Sequence, residues 1–202
     1  MQSLNYWQGE RIRLRAIEPE DAPIFHAWNQ EDPDMSRNLD WIWPPGSLAA
    51  QRQWAQTESM KRMENDQLFL VIETKDGDLV GCINTHHCDR RVGNFSYGIA
   101  IRQEFRGQGY ASEAIQRMVA YFFRELRYQK VTVDVYSFNG SSIRLHQKLG
   151  FTQEGRLRRT LFTNGAHHDL LIFGMTVEEF EEKGIGDRGL GTGDRGSGSE
   201  IA

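Results

Sequence analysis

The stretch Phe95 to Ala114, FSYGIAIRQEFRGQGYASEA, constrains the fold most, because a β-rich run passes into Arg106-Gly107-Gln108-Gly109-Tyr110-Ala111 and then directly into a helix. A chain that does this sets a helix N-terminus at the end of a strand. Two glycines there let successive backbone N–H groups converge without Cβ interference, while the helix macrodipole adds positive potential at that end. Phosphate or pyrophosphate suits such a loop; a plain tight turn is the other use of the same glycines.

On either side the hydrophobic period switches repeatedly between two and 3.6. Arg11 to Ala16 alternates, with Ile12, Leu14 and Ala16 on one face, and reads as a first strand. Glu18-Pro19-Glu20-Asp21 then opens a helix carrying Ile24, Phe25, Ala27 and Trp28. After a loop holding Trp41-Ile42-Trp43-Pro44-Pro45-Gly46, Ser47 to Glu64 has helical composition. Leu68 to Thr74, Leu79 to Thr85 and Phe95 to Ile101 form a meander, the first pair joined across Asp76-Gly77. Ser112 to Leu126 returns to helical spacing, and Val131 to Tyr136 is a β-branched strand. Ser141 to Leu149 is a short helix stopped by Gly150, and a last hairpin pairs Leu157 to Thr163 with Asp169 to Thr176 across Asn164-Gly165.

Hairpins mixed with crossover helices predict an α+β fold, with a mostly antiparallel mixed sheet flanked by helices. With 202 residues this is one domain, residues 1–183, and a tail, residues 184–202. The tail holds seven of the twenty glycines, has no aromatic residue and repeats Gly-Asp-Arg-Gly, so composition predicts a flexible extension.

Charge and motif content exclude several functions. The net charge is −4 and the pI about 5.9, which gives no drive toward phosphate backbones and makes a nucleic-acid partner a poor expectation. Apolar runs such as Val119 to Phe123 are far short of a bilayer span, so no membrane partner is expected. Met1 to Glu10 lacks the basic and apolar regions of a signal peptide, which predicts a cytoplasmic protein with Cys82 and Cys88 as reduced thiols. No Gly-x-x-x-x-Gly-Lys-Ser/Thr and no Gly-x-Ser-x-Gly occurs, which disfavours ATP hydrolysis and serine hydrolysis; the Arg106 to Ala111 loop follows four strands and has no third glycine, which disfavours a nicotinamide cofactor. His86-His87-Cys88-Asp89 with Cys82, and His167-His168-Asp169, could suggest zinc. Adjacent strand residues face opposite ways, however, and the spacing fits no standard zinc pattern, so no metal is expected.

Downstream of the glycine loop comes Asn139-Gly140-Ser141-Ser142-Ile143-Arg144-Leu145-His146-Gln147-Lys148-Leu149-Gly150-Phe151. Together the two segments resemble the GNAT superfamily of acetyl-CoA-dependent N-acetyltransferases, over about residues 8–180. The pyrophosphate-loop pattern Arg/Gln-x-x-Gly-x-Gly/Ala is matched by Arg106, Gly109 and Ala111, and the following Asn, helix and Gly-Phe by Asn139, Gly150 and Phe151. Gly9-Glu10-Arg11-Ile12-Arg13-Leu14-Arg15 with Glu18-x-x-Asp21 is similar to the ribosomal-protein N-terminal acetyltransferase branch. Ser142 to Phe151 resembles the phosphinothricin-type enzymes.

The resemblance implies acetyl-CoA as co-substrate, held by Arg106, Gly107, Gln108, Gly109, Tyr110 and Ala111 at its pyrophosphate. Ile99, Ala100 and Ile101 would bind pantetheine and thioester through their backbone, with an N–H, that of Ile99 first, as oxyanion donor and Asn139 completing the cofactor site. His146 occupies the family's usual tyrosine position, where it is either the acid for the leaving thiolate or a structural hydrogen-bonding residue. Ser142 is a second donor candidate, or else a helix cap. The glutamate that many relatives carry two residues before the strand glycine is Ser96 here, so the base is water held by Ser96, or Glu73 or His86. Trp41 and Trp43 either wall an acceptor pocket or pack their loop.

The expected activity is direct transfer of an acetyl group to a primary amine, a small molecule or a peptide N-terminus. The alternative is a non-catalytic acyl-CoA-binding or interaction protein, and a homodimer is compatible with either.

Overall fold

The computed structural model describes residues 5–39, 42 and 44–185. In chain order the elements are β1 (Ile12–Arg15), α1 (Ala22–Glu31), α2 (Pro33–Asn38), α3 (Leu48–Ser59), β2 (Phe69–Thr74), β3 (Leu79–Asp89) and β4 (Asn94–Ile101). They continue with α4 (Tyr110–Arg124), β5 (Lys130–Tyr136), α5 (Gly140–Leu149), β6 (Thr152–Thr163), β7 (Ala166–Thr176) and α6 (Val177–Glu182). The expected order is present with two additions, α2 and α6. Both carry start signals in the sequence: Asp32 accepts from the Met35 N–H ahead of Pro33, and Thr176 with Glu179 closes a capping box.

The strands form one seven-stranded sheet in the order β1-β2-β3-β4-β5-β7-β6. Only β4 and β5 run parallel, because α4 carries the chain across; every other pair is antiparallel. This is the mixed α+β fold the periodicity implied. Asn164 and Gly165, both at positive φ, make the β6–β7 turn, the backbone geometry that a two-residue hairpin loop demands.

Two apolar clusters hold helices to the two faces. On one face the α4 stripe of Ala114, Ile115, Met118, Val119 and Phe122 packs on Phe95 and Ile83, joined by Val131, Val133 and Phe173 farther along the sheet. Phe95 stacks on Phe122 with ring centres 4.1 Å apart. On the other face Phe25 and Trp28 of α1 and Ala55 of α3 cover Val71, Leu79 and Ala100. Burying each large side chain is worth about 1.5–3 kcal/mol, so the clusters decide which way each strand faces. Ile185, two residues past the expected end of the domain at 183, is buried in the first cluster.

Candidate active site

β4 and β5 are paired only at Asn94↔Lys130 and Phe95↔Val131, whereas β5 follows β7 along its whole length. Beyond Phe95 the two parallel strands therefore diverge and leave one edge of β4 open. Which backbone groups face that opening follows from ladder alternation. The Arg102 N–H donates to the Val80 carbonyl at 2.9 Å, so even-numbered residues of β4 direct their polar groups at β3. Tyr97, Ile99 and Ile101 direct theirs into the cleft. Ala100, expected to bind the co-substrate through its backbone, does not face it, because its polar groups belong to the β3 ladder and its methyl lies under α1 and α3.

The open edge leads to the glycine loop. Gly107 and Gly109 have φ of +78° and +89°, a left-handed backbone that L side chains rarely adopt, and Gly109 is the N-cap of α4. The first turn of α4 has N–H groups with no partner inside the helix, and they face outward with the positive dipole end. Three side chains fix the loop. Arg106 donates its Nε–H to the Ile101 carbonyl at 3.0 Å and pairs with Asp32. Gln108 donates its side-chain amide to the Glu104 carbonyl at 3.0 Å. Arg11 donates from Nη1 to the Gln108 carbonyl at 2.9 Å, and because a trans peptide is planar the Gly109 N–H points the opposite way. Sequence reading missed Arg11, whose only signal is its nearness to β1; contact with a loop 97 residues away is a tertiary fact. Tyr110 packs edge-on against Phe105, and Ala111 sits half-buried in the first turn.

α5 begins beside the cleft at Asn139, whose Oδ1 accepts from the Ser142 N–H at 3.1 Å and from the Ser141 hydroxyl at 2.9 Å. Its Oδ1 is thus spent on capping. His146 lies about two turns on and is 2 % exposed. Its Nδ1 is 2.8 Å from the Ser142 carbonyl, which can only accept, so Nδ1 carries the proton and Nε2 accepts from the Tyr97 hydroxyl at 2.9 Å. Burial holds the imidazole below its ordinary pKa, against the opposing pull of the Ser142 carbonyl, and burial pushes the Tyr97 phenol well up. His146 is therefore a neutral ring with both nitrogens engaged. The arrangement fits the hydrogen-bonding reading. The Ser142 hydroxyl, 3.3 Å from Nδ1, is half-buried at the first turn.

Ser96 is half-buried on the α1/α3 face, with His86 directly across on β3. Glu73 fails as a base: Arg15 bonds it at 2.8 Å, Arg13 also pairs with it, and these guanidinium groups hold its carboxyl below the usual range. It also stands four residues along β2 from Phe69, which faces Asn84, or about 13 Å by strand rise. His86 and His87 do not diverge as an even strand would require. A bulge after His86, with His87 at φ +49°, brings their Nδ1 atoms to 3.1 Å. Among the described residues no three metal-ligating side chains converge. Burial pushes the Cys82 thiol up to about 12. Trp41 and Trp43 lie outside the described residues. Among the described residues no helix is long and apolar enough to cross a membrane.

Residues 11–152 match the family described as acetyltransferase (GNAT) domain. A SPbeta prophage-derived uncharacterized N-acetyltransferase of Bacillus subtilis (strain 168), YokL, is 45% identical over 179 residues, covering 89% of this chain and 97% of that protein. The spermidine N(1)-acetyltransferase of Vibrio cholerae serotype O1 (strain ATCC 39315 / El Tor Inaba N16961) is 24% identical, covering 79% and 90%. Among solved structures, RimL, a ribosomal L7/L12 alpha-N-protein acetyltransferase in complex with coenzyme A, shares the fold with a TM-score of 0.74 at 18% identity, over 84% of this chain and 96% of that one.

Proposed function

The chain belongs to the GNAT acetyltransferase family and is an acyltransferase, and from that premise we propose that it moves the acetyl group of acetyl-CoA to a primary amine by direct transfer in a ternary complex. The observation that carries this reading is the unpaired edge of β4 running into the N-terminus of α4. One groove then offers N–H groups for a pyrophosphate at its mouth and strand N–H groups for an amide-bearing arm along its wall.

In this reading the amine attacks the thioester carbon from the α1/α3 face, and the carbonyl oxygen takes negative charge at the Ile99 N–H. Fixed donors of this kind need no reorganisation as charge develops. The amine proton leaves to water held beside Ser96 and His86. As the carbon–sulfur bond breaks, the Ser142 hydroxyl supplies the proton that converts thiolate to thiol, and water restores it. The products are the amide and free coenzyme A. The acceptor is a small amine, as the name of the Vibrio relative suggests, or a peptide N-terminus, as RimL's does.

Thiol release from acetyl-CoA, measured with spermidine, other alkyl amines and N-terminal peptides, tests the reading. Amine-dependent release supports it. Tight acetyl-CoA binding with no release for any amine would leave the non-catalytic alternative standing.

A further inference from the structure

The narrow end of the cleft is filled by side chains that no step above uses. Tyr97 follows two residues after Phe95, the last β4 residue paired with β5, and its side chain lies on the α4/α5 face. His146 comes down from α5 onto the same place. Their rings stack at 25° with centres 5.9 Å apart, and His146 stacks in turn on Phe173 of β7 at 24° and 6.0 Å. Phe151 closes against His146 edge-on at 5.1 Å. A row of three rings thus reaches from β4 over β5 to β7 just where the two parallel strands begin to part.

We propose that the hydrogen-bonded Tyr97–His146 pair is the rigid inner wall of the cleft and restricts the transferred acyl group to acetyl. This rests on the reading that acetyl-CoA occupies the cleft. The loop at Arg106 to Ala111 stands at the far end of β4, so a thioester anchored there points its acyl group inward, toward Tyr97. From Ile101 to Tyr97 the wall is four residues long, about 13 Å. An apolar plug of leucine or methionine would seal the same end without burying polar atoms, but it could shift rotamers to admit a longer chain. Two hydrogen bonds, 2.9 Å to the phenol and 2.8 Å to the Ser142 carbonyl, fix both the ring plane and its depth. Each added methylene of the acyl group must then displace a bonded pair.

The test compares kcat/KM for acetyl-, propionyl- and butyryl-CoA with one accepted amine, in the wild type, His146→Ala and Tyr97→Phe. Calorimetric binding of desacetyl coenzyme A and the thermal melt of each protein are measured alongside. The wild type is expected to prefer acetyl over butyryl by about 10- to 200-fold, the range over which a pocket discriminates a methylene or two. His146→Ala should raise the butyryl-to-acetyl ratio about tenfold or more while coenzyme A affinity changes less than about threefold. Tyr97→Phe, which keeps the ring and loses the bond, should raise the ratio by a smaller factor, and it decides the matter if the alanine variant does not fold. An unchanged ratio in every folded variant overturns the wall, as does a wild type that transfers butyryl as readily as acetyl. A wild type that binds no acetyl-CoA overturns the functional reading itself and the wall with it.

Discussion

Ser142 donates its backbone N–H to the Asn139 cap and offers its carbonyl to His146, its hydroxyl lies 3.3 Å from the same ring, and in the proposed transfer that hydroxyl is the acid. Ser142→Ala should lower kcat by about 10²–10⁴ with the acetyl-CoA dissociation constant unchanged, as steady-state rates and calorimetry would show. A fall in affinity without a fall in kcat would make the serine a binding residue. His146 gives a pH prediction instead. Its proton affinity in the fold lies below that in the unfolded chain, whose pKa is about 6.5. Above that pH both states are neutral and nothing changes; as pH falls through it, the unfolded chain takes up a proton that the fold refuses, and stability declines toward the lower folded value. The urea midpoint should drop between pH 7 and 5 more steeply in the wild type than in His146→Gln. Sequence alone offered two roles for this residue and could not choose, because a buried ring and a cleft-facing one have the same spacing from Asn139.

At the scale of elements, the β4–α4 turn depends on a contact from outside it. Arg11, just before β1, holds the Gln108 carbonyl, and a Cβ at Gly109 would lie 2.6 Å from the same guanidinium nitrogen. Gly109→Ala therefore meets a left-handed φ and a collision together, and should weaken acetyl-CoA binding about tenfold or more by calorimetry. Arg11→Ala frees the peptide to rotate and should raise the acetyl-CoA KM several-fold with kcat nearly unchanged, since it positions a binding loop and touches no reacting atom. A kcat effect larger than the KM effect would contradict that role. The loop itself was legible in sequence, since glycine pairs and helix starts are local signals. Its brace was not, because nothing local marks which arginine will meet it.

For the molecule as a whole, the C-terminal boundary separates composition from packing. The glycine content predicts that residues 186–202 are dispensable, so their removal should leave the melting temperature within about 2 °C. Deleting Ile185 as well removes a side chain that is 5 % exposed, at a cost of about 1.5–3 kcal/mol, or roughly 3–12 °C. Equal melting temperatures for the two truncations would remove Ile185 from the core. The sequence by itself determined the order of most elements, the mixed sheet, the glycine loop and the Asn139 helix, since each rests on hydrophobic period, turn residues or caps acting within a few residues. Only the tertiary structure decided that β4 parts from β5 after Phe95, that Ala100 faces β3, that Glu73 is held by Arg13 and Arg15, and that His146 is sealed between Tyr97 and Phe173. Those outcomes depend on strand register and on side chains up to about 100 residues apart, and a one-residue change of register would turn strand residues such as Ala100 and Glu73 to the other face.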